Sequence, residues 1–231
     1  MHDLIEQLTN SGYGTYVIQM CISCIFFADD VVLLSPSRYG LQELLDICVA
    51  YCDRFCLDFN VKKSKIMIIG KNSKCDYCAL TIHGALLDHV SEYKYLGVNL
   101  CANKGLSFSS TTAIRSFYRA ANSILHSWVK PKNEVLMKLL YANCVPILTY
   151  GCAVKEYSAS EMYRCHVAIN NAIRQIYSFA MWQSIRQVRL ASGFDSIYEI
   201  FAKSKAKFMS SAATSSNTVV HHLATIMPTS V

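Results

Sequence analysis

Residues 25–34, Ile-Phe-Phe-Ala-Asp-Asp-Val-Val-Leu-Leu, constrain this chain more than any other stretch. Two adjacent carboxylates, Asp29 and Asp30, split apolar sequence into runs too short for helices, and the β-branched and aromatic composition of both runs is that of strands. A buried strand would have to desolvate two like charges side by side. Ala28-Asp29-Asp30 is therefore predicted at the tip of a β-hairpin, where both carboxylates reach one small region. A hard divalent cation would neutralise them there. Mg²⁺, or Mn²⁺ in its place, takes one or two carboxylates, keeps several waters and completes its shell with substrate phosphates. A bare Asp-Asp pair more often marks an ordinary solvated turn, so the flanking residues carry the specificity.

Charge is divided unevenly along the chain. Residues 1–59 hold two basic and eight acidic residues, whereas 60–231 hold twenty basic and eight acidic, which together make the formal net charge of +6. An acidic segment around a metal-type turn, followed by a long basic one, suits a protein that holds cations in one part and a polyanionic duplex in the other. Solvated lysines alone would produce the same balance. Hydrophobic content of 52% with 16% charged residues excludes a disordered chain, and 231 residues bury a core as one domain or as a small domain with a helical appendage. The apolar run 17–28 is interrupted by Gln19 and Ser23 and is too short to cross a bilayer. Met1-His2-Asp3-Leu4-Ile5-Glu6 lacks the basic and apolar regions of a secretory signal, so the expected location is intracellular, nuclear or cytoplasmic, with no membrane partner. The eleven cysteines read as small apolar side chains kept reduced. Cys75-x-x-Cys78 with His83 and His89 is the one metal-like spacing, and its position between strand-like stretches argues against zinc.

Local patterning orders the elements. A helix over 2–10 stops at Asn10-Ser11-Gly12, a strand runs from about 15 to 27, and 31–34 returns beside it. Ser35-Pro36 offers an N-cap and a first-turn proline for a helix to about Phe55, with Leu41, Leu44, Leu45, Cys48, Val49 and Cys52 on one face. A strand over Ile66-Met67-Ile68-Ile69 ends at Gly70; short strands follow, including 79–82 and Tyr93 to Leu100, with Gly97 as a bulge or a point of close backbone approach. Beyond Ser109 the pattern is helical: 109–127, 132–145 between Pro131 and Pro146, 158–178, and 195–209. Residues 210–231, rich in Ser, Thr and Ala, are expected to be disordered.

Several motifs in order carry a family resemblance. Phe27-Ala28-Asp29-Asp30-Val31-Val32-Leu33-Leu34-Ser35 resembles the aromatic-Ala-Asp-Asp catalytic hairpin of reverse transcriptases, those of non-LTR retrotransposons above all. Leu41-Gln42-Glu43-Leu44-Leu45 is similar to the helix that follows it, and Phe59-Asn60-Val61-Lys62-Lys63-Ser64-Lys65 to the family's Asn-x-x-Lys-Ser/Thr motif. Tyr93-Lys94-Tyr95-Leu96-Gly97-Val98 resembles the primer-grip hairpin, and Pro146-Ile147-Leu148-Thr149-Tyr150-Gly151 a thumb-region signature. The likeness extends over roughly 1–205.

The resemblance implies an α+β fold: a partial polymerase palm over 1–105, with antiparallel hairpins packed on a helix, then an α-helical thumb-like region over 106–209. It makes Asp29 and Asp30 ligands of Mg²⁺, Asp29 the more direct, and sets Lys63 or Lys65 beside the phosphates of an incoming nucleotide, with Lys63 carried as the candidate catalytic cation. Tyr95, Leu96 and Gly97 would support a primer terminus, and Arg115 and Arg119 would meet duplex backbone. The implied partners are an RNA template with its DNA primer, and a deoxynucleoside triphosphate once the protein is completed. The family places a further catalytic Asp upstream of the Asp-Asp hairpin, and only Asp3 and Glu6 precede Asp29 here, both in a helical context. The chain is accordingly expected to be inactive by itself; the alternative is a catalytically dead nucleic-acid-binding remnant.

Overall fold

The computed structural model describes residues 2–17, 19–70, 79–102, 105–127 and 131–226. They form two compact units, one of residues 1–94 and 100–106, the other of 95–99 and 107–231. The chain is mixed α and β, with small, mainly antiparallel sheets and several helices.

In the first unit, helix α1 (His2–Asn10) buries Leu4 and Leu8 against α2 (Arg38–Arg54), whose Leu44, Cys48 and Tyr51 recur at helical spacing on the facing side. Burial pushes the Cys48 thiol up to about 12, as expected of a structural cysteine. Leu45 of α2 joins a second cluster with Ile66, Leu80, Ile82 and Leu87. The N-cap of α2 is Ser37, whose Oγ accepts from Gly40 N at 3.0 Å, and not Ser35. Ser35 instead donates to Tyr13 O at 2.7 Å, and a Cβ on Gly40 would meet its hydroxyl at 2.6 Å. Two serines near a helix start compete for the cap, and tertiary hydrogen bonding settles which one takes it.

The strand expected over 15–27 is broken. Strands β1 (Thr15–Val17) and β2 (Met20–Ile22) pair with each other, and β3 (Cys24–Phe27) pairs with β4 (Asp30–Leu33). Ser23 lies buried between the hairpins and its carbonyl accepts from Leu34 N at 2.8 Å, so the residue that interrupts the apolar run is a junction. The strand expected over 66–69 shortens to β5 (Lys65–Ile66), parallel to β8 (Asp88–His89), while β6 (Thr81–Ile82) pairs with β7 (Ala85–Leu86). Gln42 of α2 binds β6 with both ends of its amide, Nε2 donating to Thr81 O and Oε1 accepting from Thr81 N, each at 3.0 Å. Cys75 and Cys78 lie outside the described residues. A three-stranded sheet follows in the order β11-β10-β9, made of β9 (Glu92–Tyr95), β10 (Val98–Ala102) and β11 (Leu106–Phe108).

The second unit is helical around one core. Phe117 and Ala121 of α3 (Thr111–Leu125), Met137 of α4 (Asn133–Leu139), Leu148 of α5 (Val145–Thr149) and Ile169 and Ile173 of α6 (Ala159–Tyr177) belong to it. Pro146 does not end the helix as expected. Residues 140–144 form a π-helical turn in which Val145 N reaches Leu140 O, and the wider turn admits a proline just beyond it. Helix α6 opens with a capping box between Ser158 and Glu161. Helix α7 (Arg186–Ala191) has no counterpart in the sequence-based reading, and it buries no residue that would have marked it. Helix α8 (Ile197–Ala213) starts with a second capping box, Ser196 with Glu199, and outlasts the predicted end at 209. Part of the segment expected to be disordered is helical: α9 (Thr218–Ile226) begins where Asn217 Oδ1 accepts from Val219 N and Val220 N.

Candidate functional site

A tight turn lies where the sequence predicts one, with Asp29 in it and Asp30 as the first residue of β4. Phe27 pairs with Asp30 across the β3–β4 ladder, so Ala28 and Asp29 form a two-residue connection, with Ala28 at φ 53°. A non-glycine residue in that region stores strain, and the surrounding hairpin has to hold it. Phe26 packs toward the core of α1 and α2, whereas Phe27 is 60% exposed beside the carboxylates. Alternation along β3 thus anchors the hairpin on one face and leaves an aromatic free on the other. Both carboxylates are exposed, and among the described residues neither side chain has an ion-pair partner. The donor set is two hard, unengaged carboxylates, one in the turn and one on the first residue of β4, which fits a hard divalent cation. Among the described residues no group of three or more His, Cys, Asp or Glu side chains could hold a metal ion.

The structure separates the two lysine candidates. Lys65 pairs with Asp88 at 2.5 Å, a contact set up by the β5–β8 register that places the two residues side by side. Lys63 is exposed in a turn closed by Lys63 N donating to Asn60 O at 3.0 Å, and its own carbonyl accepts from Tyr93 Oη at 3.3 Å. Asn60 therefore shapes the loop that presents Lys63, and among the described residues no carboxylate lies within ion-pair distance of that lysine.

Leu96 and Gly97 form the β9–β10 turn, at φ 44° and 79°, and correct the expectation of a bulge inside one long strand. Two consecutive positive φ values close a tight hairpin matched to strand twist. Tyr150, from the Pro146–Gly151 motif, donates its hydroxyl to Leu96 O at 2.9 Å, and a Cβ on Gly97 would meet its Cε1 at 3.0 Å. Two motifs about fifty residues apart thus meet at one turn. Tyr150 is the residue that spacing alone could not assign, because nothing local to it points to a backbone carbonyl in another strand. Gly97→Ala is expected to destabilise the protein by about 1–2 kcal/mol, the cost of a side chain in left-handed backbone. Urea unfolding checks it, and Tyr150→Ala in the same chain should recover only the part due to crowding.

Tyr95 ends β9, half-buried. Arg115 and Arg119 lie exposed on α3, one turn apart, while Phe117 and Ala121 face the core. The carboxylates and Lys63 thus fall in the first unit, and Tyr95, Leu96, Gly97, Arg115 and Arg119 in the second. No helix among the described residues is long and apolar enough to cross a membrane.

Comparison with known proteins bears on residues 1–100, which match the family model for reverse transcriptase (RNA-dependent DNA polymerase). The chain is 29% identical over 165 residues to a Drosophila melanogaster protein named probable RNA-directed DNA polymerase from transposon BS, a match covering 65% of this chain and 18% of that protein. It is 25% identical over 169 residues to the RNA-directed DNA polymerase from mobile element jockey of Drosophila melanogaster, covering 68% of this chain and 18% of the relative. The Drosophila funebris jockey polymerase is 26% identical over 147 residues, covering 57% and 16%. The chain spans under a fifth of the length of these relatives.

Proposed function

We propose that this chain, whose residues 1–100 belong to the reverse transcriptase family, is a segment of the RNA-directed DNA polymerase of a non-LTR retrotransposon. It comprises the catalytic hairpin of the palm, within 1–105, and a thumb-like helical region, within 106–209. The observation that carries this reading is the pair of unengaged carboxylates in and directly after a strained two-residue turn, next to an exposed phenylalanine. Asp29 and Asp30 would hold Mg²⁺ or Mn²⁺; bound there, the cation supplies stabilisation for the ionised primer 3′-hydroxyl and for the departing pyrophosphate. Lys63 places positive charge for nucleotide phosphates. The Leu96-Gly97 turn, braced by Tyr150, offers backbone near a primer end, and Arg115 and Arg119 take duplex phosphates without reading sequence. Template RNA, DNA primer and deoxynucleoside triphosphate are the partners of the whole polymerase.

Two carboxylates leave most of an octahedral shell to water, so the chain by itself should bind Mg²⁺ only at millimolar concentration. Asp29→Asn should weaken that binding further. Calorimetric titration showing micromolar affinity in the isolated chain would contradict the two-ligand site. For the same reason, primer extension by residues 1–231 alone should be undetectable.

A further inference from the structure

The helical unit carries a second basic feature, away from Arg115 and Arg119 in sequence. Arg174 and His166 from α6, with Ser184, Arg186 and Arg189 from the following loop and α7, line one cavity of about 190 Å³. Among the described residues none of the three guanidinium groups pairs with a carboxylate. The nearby acids are engaged elsewhere: Asp195 holds Lys203 at 2.6 Å, and Glu199 accepts from Ser196 N at 2.5 Å. Arg174 is held in place, Nη1 donating to Asn171 Oδ1 at 3.2 Å and Nε to Gln183 O at 3.3 Å. Burial, then the charges of Arg189 and Arg174, push the His166 pKa down.

Beside the cavity is a tight turn. Gln183 N donates to Ala180 O at 3.0 Å, and Ala180 N to Gln183 Oε1 at 2.6 Å, which closes residues 180–183. Its two central residues carry large apolar side chains into solvent, Met181 at 69% exposure and Trp182 at 88%. An indole held out on a hydrogen-bonded turn costs hydrophobic burial. The turn is tied to the cavity through Gln183 O and Arg174.

We infer that this pocket takes a backbone phosphate of single-stranded nucleic acid through Arg174, Arg186 and Arg189, while Trp182 stacks on a neighbouring base. Guanidinium forks match phosphate oxygens. An exposed aromatic beside a basic groove is the stacking platform of single-strand binders, and every base has a face to offer it. A duplex keeps its bases stacked internally and leaves Trp182 without a ligand. The site deepens the nucleic-acid reading above, on which its ligand class rests.

Tryptophan fluorescence of residues 1–231, titrated with an eight-nucleotide single-stranded RNA, a matched duplex, inorganic phosphate and polyglutamate, tests it, and the affinities of the variants are read from the anisotropy of the same RNA carrying an end label. Single-stranded RNA should quench the signal. Arg186→Gln with Arg189→Gln should weaken binding about tenfold or more and flatten the logarithmic salt slope by about 0.7, the value for one lost phosphate contact on a single strand. Trp182→Ala should cost about fivefold or more without changing that slope, and Trp182→Phe should restore most of the loss. Positions 182 and 186 are exposed and 189 is half-buried, so thermal melts accompany every variant, and the binding losses are expected in chains that melt at the wild-type temperature. Wild-type affinity in the pocket variants, with duplex binding still lost in Arg115→Gln/Arg119→Gln, would overturn this site and leave the thumb reading standing. Failure of the folded chain to bind any nucleic acid at low salt would overturn both. Polyglutamate binding as tight as RNA would reassign the pocket to an acidic polypeptide and overturn the proposal, as would phosphate binding accompanied by an RNA affinity indifferent to Trp182.

Discussion

Asp29→Ala, introduced into a polymerase that carries this segment in frame with the remainder of its length, is expected to lower template-directed primer extension by on the order of a hundredfold or more. The expectation follows from the character of the site. A carboxylate on an exposed turn contributes almost nothing to the packed core, so its removal should leave folding intact and act on the chemistry. Electrostatic groups aimed at developing charge are usually the largest catalytic term, and the substitution takes away one of two hard ligands. Asp29→Asn keeps the shape and removes the charge, and it should be nearly as damaging. Single-turnover incorporation by the two variants, with thermal melts alongside, separates chemistry from stability. Near wild-type incorporation in Asp29→Ala would refute the assignment of this hairpin as catalytic.

The second large effect is on stability. Phe117→Ala should destabilise the helical unit by about 3–5 kcal/mol, the usual cost of removing an aromatic ring from a core that cannot collapse around the void. Phe117 is 0% exposed and lies in the cluster that joins α3 to α5 and α6. Denaturant unfolding followed by circular dichroism would show it as a lower midpoint. Phe117→Leu, which keeps most of the volume, should lose much less. Equal losses in the two variants would mean that the ring is not packed as the structure shows.

Some of this architecture was plain in the residues. Leu44, Leu45 and Cys48 repeat with the helical period, so α2 was legible before any tertiary information. Asp29 and Asp30 exclude a continuous buried strand, which left a turn as the physical solution. Other points were ambiguous because local signals ran equally well in two directions. The apolar run 15–27 has strand composition throughout, and only the pairing of Val17 with Met20 shows that it folds back on itself. Leu96 carries no turn signal, yet it adopts φ 44° because Gly97 follows and Tyr150 holds its carbonyl. Pro146 reads as a helix end from sequence, and the π turn before it removes the conflict.

The residues by themselves determined the chemistry available: two carboxylates with strand-forming neighbours, a lysine-rich loop after Asn60, and a basic second part of the chain. Those properties belong to side-chain type and to spacings of two to four residues, which sequence states directly. Tertiary structure alone decided which groups are free to act. Lys65 is occupied because the β5–β8 register sets Asp88 beside it, and Lys63 is left over. Tyr150 reaches a carbonyl in another strand, and Arg174 comes to share a cavity with Arg186 and Arg189 only once α6 and α7 have packed. Each of these is a contact between residues distant in sequence, governed by register and helix packing, and no local periodicity encodes it.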